Sequence, residues 1–108
     1  MSSHVFNKKR WQTQSLFWQM GNIGSEVGRA LNAKQAGNKA DMKTAFYRGL
    51  DLIDATAEEL LAQKSPRLKE VLRAREEFST AVLTDKNDTK LEGYFMNFAI
   101  AQRLRQLK

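Results

Sequence analysis

The chain has 108 residues, with 18 Lys and Arg against 12 Asp and Glu, one histidine, one proline and no cysteine. The missing cysteine excludes disulfides, thiol nucleophiles and thiolate metal sites. The lone His4, in the N-terminal segment, leaves no basis for a Ser-His-Asp triad or a multi-histidine metal centre. At 42% apolar and 28% charged residues, the composition suits one globular domain over 1–108 that folds without staples.

The opening MSSHVFNKKRW has no apolar run of signal-peptide length. No segment approaches the ~20 apolar residues of a membrane span. The expectation is a soluble cytoplasmic protein with no membrane partner. Asn87-Asp88-Thr89 matches a glycosylation sequon, but without secretion it reads as a polar turn.

Residues 1–11 are polar, aperiodic and basic through Lys8, Lys9 and Arg10, and read as a short flexible tail. Leu16, Met20, Ile23, Val27 and Leu31 then draw one stripe down a helix over about 14–34. Gly37 is placed to take a left-handed helix-ending conformation, and Asn38 to cap the next helix, with Asp41 in its first turn. Met42, Phe46, Leu50, Ile53, Ala57, Leu60 and Leu61 continue the three-four step over about 39–64. Ser65-Pro66 combines an N-cap with a first-turn proline and predicts a third helix over 66–83, carrying Leu68, Val71, Leu72, Phe78 and Val82 inward. TDKND is turn-rich, and Thr89 to Glu92 has capping-box spacing ahead of a fourth helix over 90–107. Four helices with short connections predict an all-α, antiparallel four-helix bundle with up-down-up-down topology.

Three features bear on function. The first is apolar. Helix four carries Leu91, Phe95 and Phe98 on one side and Met96, Ile100, Leu104 and Leu107 on another, more than a single core face needs. In helix one, Gly24 and Gly28 stand one turn apart and suit close approach of another helix, from the same chain or a second copy. Missing strand and GK[ST] context excludes a phosphate loop there. Gly24, Gly28, Met96, Ile100, Leu104 and Leu107 are therefore the candidate interface, and a homo-oligomer is the expected state.

The second feature is Arg75, which falls among the inward positions of its helix, with Glu26, Asp51 and Asp54 available as partners. Either it forms a partly buried ion pair, or it sits at the edge of the face with its head in water. The third is the charge balance. Residues 1–36 hold five basic and one acidic side chain, and 85–108 hold five and three. In an antiparallel bundle both termini share one end, so Lys8, Lys9, Arg10, Arg103, Arg105 and Lys108 are candidate nucleic-acid contacts. No metal site or cofactor is expected: no predicted helix has a histidine, and the Asp51, Asp54 and Glu58 row reads as a solvated face.

NIGSEVGRAL, RGLDLIDAT and RLKEVLRAREEF together resemble a group of short uncharacterised bacterial proteins, over about residues 11–100. The resemblance implies an all-helical fold and no particular activity. Small helical nucleases of the HEPN type carry an Arg-x4–6-His motif, and here no histidine follows any arginine. The functional expectation is a non-enzymatic, self-associating protein–protein interaction module, with a partner protein or nucleic acid on the basic end as alternatives.

Overall fold

The computed structural model describes residues 6–86 and 89–107, and these are all-helical. The elements in chain order are α1 (Lys8–Gln12), α2 (Leu16–Gln35), α3 (Lys39–Ala62), α4 (Leu68–Leu83) and α5 (Thr89–Gln106). None of the helices among the described residues is long and apolar enough to cross a membrane.

The helix boundaries have local causes. Ser15 accepts from the Trp18 N–H at 3.1 Å, and Asn38 from the Asp41 N–H at 3.1 Å, so α2 and α3 open on side-chain caps. Gly37 takes φ 74°. The Asn38 N–H then reaches the Ala33 carbonyl, and the Gly37 N–H reaches that of Lys34, which is a Schellman ending. The same pair of bonds closes α3, from Ser65 to Leu60 and Lys64 to Leu61. Here a lysine holds the left-handed position, at φ 53°, and α3 stops at Ala62 rather than at 64. Beyond it, the Ser65 hydroxyl accepts from the Arg67 N–H at 3.2 Å. Ser65-Pro66 therefore builds a turn, and α4 begins at Leu68. The Thr89 side chain lies outside the described residues, and with it the capping box.

The 1–11 tail needs correction over its second half. Residues 8–12 form α1, whose Asn7 cap accepts from the Arg10 N–H at 3.1 Å. Trp11 is buried, 5.2 Å from Trp18 between ring centres. Its indole N–H donates to the Thr56 hydroxyl at 2.9 Å, and Thr56 donates to Gln19 Oε1 at 2.7 Å. The Gln19 amide donates to the Gln14 carbonyl at 2.9 Å. Trp11, Thr56 and Gln19 are all buried, and this chain satisfies the polar atoms burial would otherwise strand. Trp11, invisible to periodicity, thus anchors the segment to α3, helped by the Gln12 amide donating to the Ala55 carbonyl at 2.9 Å. Residues 1–5 lie outside the description.

α2 is the hub, packed mainly against α3 and α5, while α4 lies chiefly on α3. Met20, Ile23, Val27 and Ala30 of α2 meet Phe46, Ile53 and Leu60 of α3, Val71, Phe78 and Val82 of α4, and Leu91 and Phe95 of α5 in one core. Leu72, read as inward, is 47% exposed; Ala74 and Ala81 are buried on α4 instead. Two glycines set the closest approaches. A β-carbon at Gly49 would lie 2.7 Å from the Phe78 ring, and one at Gly24 would lie 2.6 Å from the Phe95 β-carbon. The Lys34 ammonium donates to the Ala81 carbonyl at 2.6 Å and to that of Thr84, and so ties α2 to the C-terminus of α4.

Gly24→Ala should destabilise the protein by about 1–2 kcal/mol, because overpacking of roughly 1–3 kcal/mol outweighs the helix-propensity gain. Gly28→Ala, where a β-carbon meets nothing within 4 Å, should stabilise it by up to about 1 kcal/mol. Thermal melts of the two variants should therefore move in opposite directions.

Candidate functional site

α5 presents two apolar faces. Leu91, Phe95 and Phe98 are buried against the rest of the chain, whereas Met96, Ile100, Leu104 and Leu107 are 58, 47, 58 and 78% exposed. At 100° per residue the two sets point to opposite sides of the helix, about 170° apart. The inner set is held by α2: Phe95 covers Gly24, Ala99 lies 3.4 Å from the β-carbon position of Gly21, and Phe17 stacks obliquely on Phe98 at 5.7 Å. With its inner face fixed this closely, α5 must point the outer stripe at solvent.

The glycine half of the candidate interface does not join that stripe. Gly24 is occupied by Phe95 of the same chain, so its close approach is internal. Gly28 meets nothing within 4 Å. The close helix contact involves Gly21 and Gly24 instead.

The candidate ion pair is also rearranged. Among the described residues the Arg75 guanidinium meets one carboxylate, that of Asp54, Nε to Oδ1 at 2.6 Å and Nη2 to Oδ2 at 3.4 Å. Its guanidinium pKa is raised, chiefly by that hydrogen bond, which outweighs the opposing effect of burial, while the Asp54 charge adds a smaller upward push. The side chains remain 38% and 55% exposed, so the pair sits at the edge of the face and is not buried. Glu26 is the buried carboxylate, bound by exposed Arg29 at 2.6 Å one turn away. Asp51 is exposed and meets no cation within 4 Å among the described residues. Glu26 and Arg29 line an open groove of ≈ 460 Å³ between α2 and α3, with Asp41 and Arg48 on the facing wall. Two charges of each sign leave this groove without a preferred polarity.

The basic residues do gather. Ser15 Oγ donates to Gln102 Oε1 at 3.1 Å, and the Arg105 guanidinium lies 5.1 Å from the centre of the Phe17 ring, which brings the end of α5 to the start of α2. α1 adds Lys8, Lys9 and Arg10 beside the end of α3, where Lys8 pairs with Glu58 at 3.0 Å. Gln12, Gln14, Leu16 and Gln63 border one small cavity, so the α3–α4 turn, with Lys64 and Arg67, reaches the same end. The sequence reading missed these two because it looked only at the termini. Arg103 is exposed on α5. Lys108 lies outside the described residues.

Among the described residues one side-chain polar atom is stranded. The Tyr94 hydroxyl is buried without a hydrogen-bond partner. Burial and then the negative charge of Glu70 push its pKa up to about 12. Comparison with protein-family models, with curated proteins and with solved structures finds no match to this chain.

Arg75→Ala should cost less than about 1 kcal/mol, and the loss should shrink further in high salt, as for an exposed pair. Tyr94 supplies a sign-specific prediction. The folded state keeps a phenolic proton that the unfolded chain releases near pH 10, so stability should fall as pH rises from about 10 toward 12. Tyr94→Phe should flatten that alkaline decline in chemical-denaturation curves. At neutral pH it should leave stability unchanged or raised, because the lost hydroxyl had no partner.

Proposed function

We propose that this chain is a small, non-enzymatic, cytoplasmic interaction module that self-associates through the outer face of α5. In this reading the four long helices form an up-down-up-down antiparallel bundle. Opposed numbering across the seams supports it: Ser15 with Gln102 and Gly24 with Phe95, Gln19 with Thr56 and Glu26 with Gly49, and Gly49 with Phe78 and Asp54 with Arg75. The observation that carries the functional reading is the stripe Met96, Ile100, Leu104 and Leu107, exposed on one helix while the core is complete without it. Removing these side chains from water favours association by about 25 cal/mol for each Å² of apolar area buried. Methionine and large aliphatic residues free of charge match the centre of a protein interface.

A second reading has its own observation. Lys9, Arg10, Lys64, Arg67 and Arg103 converge on one end, and none makes an ion pair among the described residues. That end suits a nucleic-acid backbone.

Light scattering across a concentration series separates the two. Self-association through α5 predicts a dimer or larger assembly that persists at high salt, and Ile100→Glu should yield a monomer with an unchanged helical spectrum. A monomer at every concentration overturns the reading. Nucleic acid that co-purifies at low salt and is shed at high salt would support the second.

A further inference from the structure

The outer face of α5 carries more than apolar side chains, and its pattern selects one geometry for the second copy. Projected at 100° per residue, Gly93, Met96, Ile100, Leu104 and Leu107 fall within a sector of about 80°. Gly93 is exposed, and a β-carbon there would meet nothing within 4 Å. A glycine inside a helix weakens it relative to alanine. Its own chain gives this one no close contact that would explain it. Placed within the stripe, it leaves a hollow that a large side chain can fill.

The charges give the direction. Glu92 and Arg103 project from the same edge of the stripe, and Asn97 projects from the other. Both charged residues are exposed. Neither takes part in an ion pair among the described residues. When two helices pack antiparallel about a two-fold axis, like edges face each other, as in an antiparallel coiled coil. An axis at the level of position 98 sets Met96 level with Ile100 of the second copy. It also brings Leu104 over Gly93 of the copy, and Glu92 within about one 1.5 Å step of Arg103. Two-fold symmetry makes each of these contacts twice. A parallel pairing does the reverse. It leaves Glu92 and Arg103 about 16 Å apart along the axis and brings the two basic ends, with Arg103 and Arg105, side by side.

We infer that α5 pairs antiparallel with α5 of a second copy, Met96 packing on Ile100, Leu104 seated over Gly93, and Glu92 joined to Arg103 twice along one edge. This rests on the self-association proposed above and specifies its partner and register.

The absence of cysteine makes the geometry directly testable, since any introduced thiol is the only one. In the otherwise intact chain, Asn97→Cys lies near the axis and should be joined to its copy by a short bis-maleimide. Leu107→Cys should not, because the two positions stand about 27 Å apart along the axis. Glu92→Arg and Arg103→Glu should each weaken the dimer roughly ten-fold by sedimentation, and the double swap should return it to within about three-fold of the wild type. Cross-linking through position 107, or a double swap no better than the single variants, overturns this register while self-association stands. A chain that is monomeric throughout overturns both.

Discussion

Phe95 lies so close over Gly24 that a β-carbon at residue 24 would fall 2.6 Å from that of Phe95. This contact fixes α5 on α2, and α2 is the helix on which the rest of the core is assembled. On its other side α2 meets α3, where Gly49 gives way to Phe78 and Phe78 packs edge-on to Phe46 at 5.1 Å. The structure therefore depends on two places where a missing β-carbon admits a phenylalanine. Each such glycine weakens its own helix by about 1 kcal/mol. The offset is dense packing of rings that are almost fully removed from water. Rotation of α5 is set by the same contact. With Phe95 inward, Met96 and Ile100 have nowhere to point but solvent.

Periodicity made the helices legible because a core face is a repeated demand. Met20, Ile23 and Val27 satisfy it on α2, and the structure buries all three. Gly37 was legible for a different reason, since a left-handed helix ending favours the residue that has no β-carbon. Lys64 takes the same conformation without that signal, so the sequence predicts α3 to run two residues too far. Leu72 fails in the opposite way. Its spacing fits the stripe, but the buried face of α4 runs through Val71, Phe78 and Val82 and extends to Ala74 and Ala81 on the side away from Leu72, which leaves Leu72 outward. Single contacts are the least visible. Trp11 belongs to no repeat, and the Asn7 cap with the α3 partners of Trp11, Gln12 and Lys8 explains why the chain before α2 is helical and fixed.

Of the candidate site, the apolar half was readable and the electrostatic half only by residue type. Met96, Ile100, Leu104 and Leu107 stand out because they form a second stripe on a helix that already has one. Of the three carboxylates offered to Arg75 the structure selects Asp54, and spacing along a helix cannot give depth. A long side chain at the edge of a face can reach a carboxylate while its head stays hydrated, and that is the geometry found. Glu26 shows the converse. It is buried, and the arginine that pairs with it lies one turn away on the same helix, a neighbour that tertiary reasoning overlooked. The basic end followed from topology, yet two of its seven described cations, Lys64 and Arg67, come from the α3–α4 turn. Attention to the termini alone could not have supplied Lys64 and Arg67.

The two proposed surfaces differ in what their energetics allow. Exposed cations separated by several ångströms from any carboxylate interact weakly at physiological salt and respond to any dense polyanion, so the basic end confers little selectivity by itself. An apolar stripe is equally permissive on its own, because burial is non-directional. What restricts α5 is the combination: a hollow at Gly93, large side chains at fixed spacing, and one charge of each sign on a single edge. A generic sticky helix needs only the leucines. A helix that must find the same helix in a second copy needs complementarity within its own sequence, with Glu92 and Arg103 within about one residue of equal distance from a common axis and on the same edge. α5 meets that condition, whereas the mixed-charge groove between α2 and α3 shows no comparable internal symmetry. The self-complementary pattern is therefore the stronger indication of what this face is built to meet.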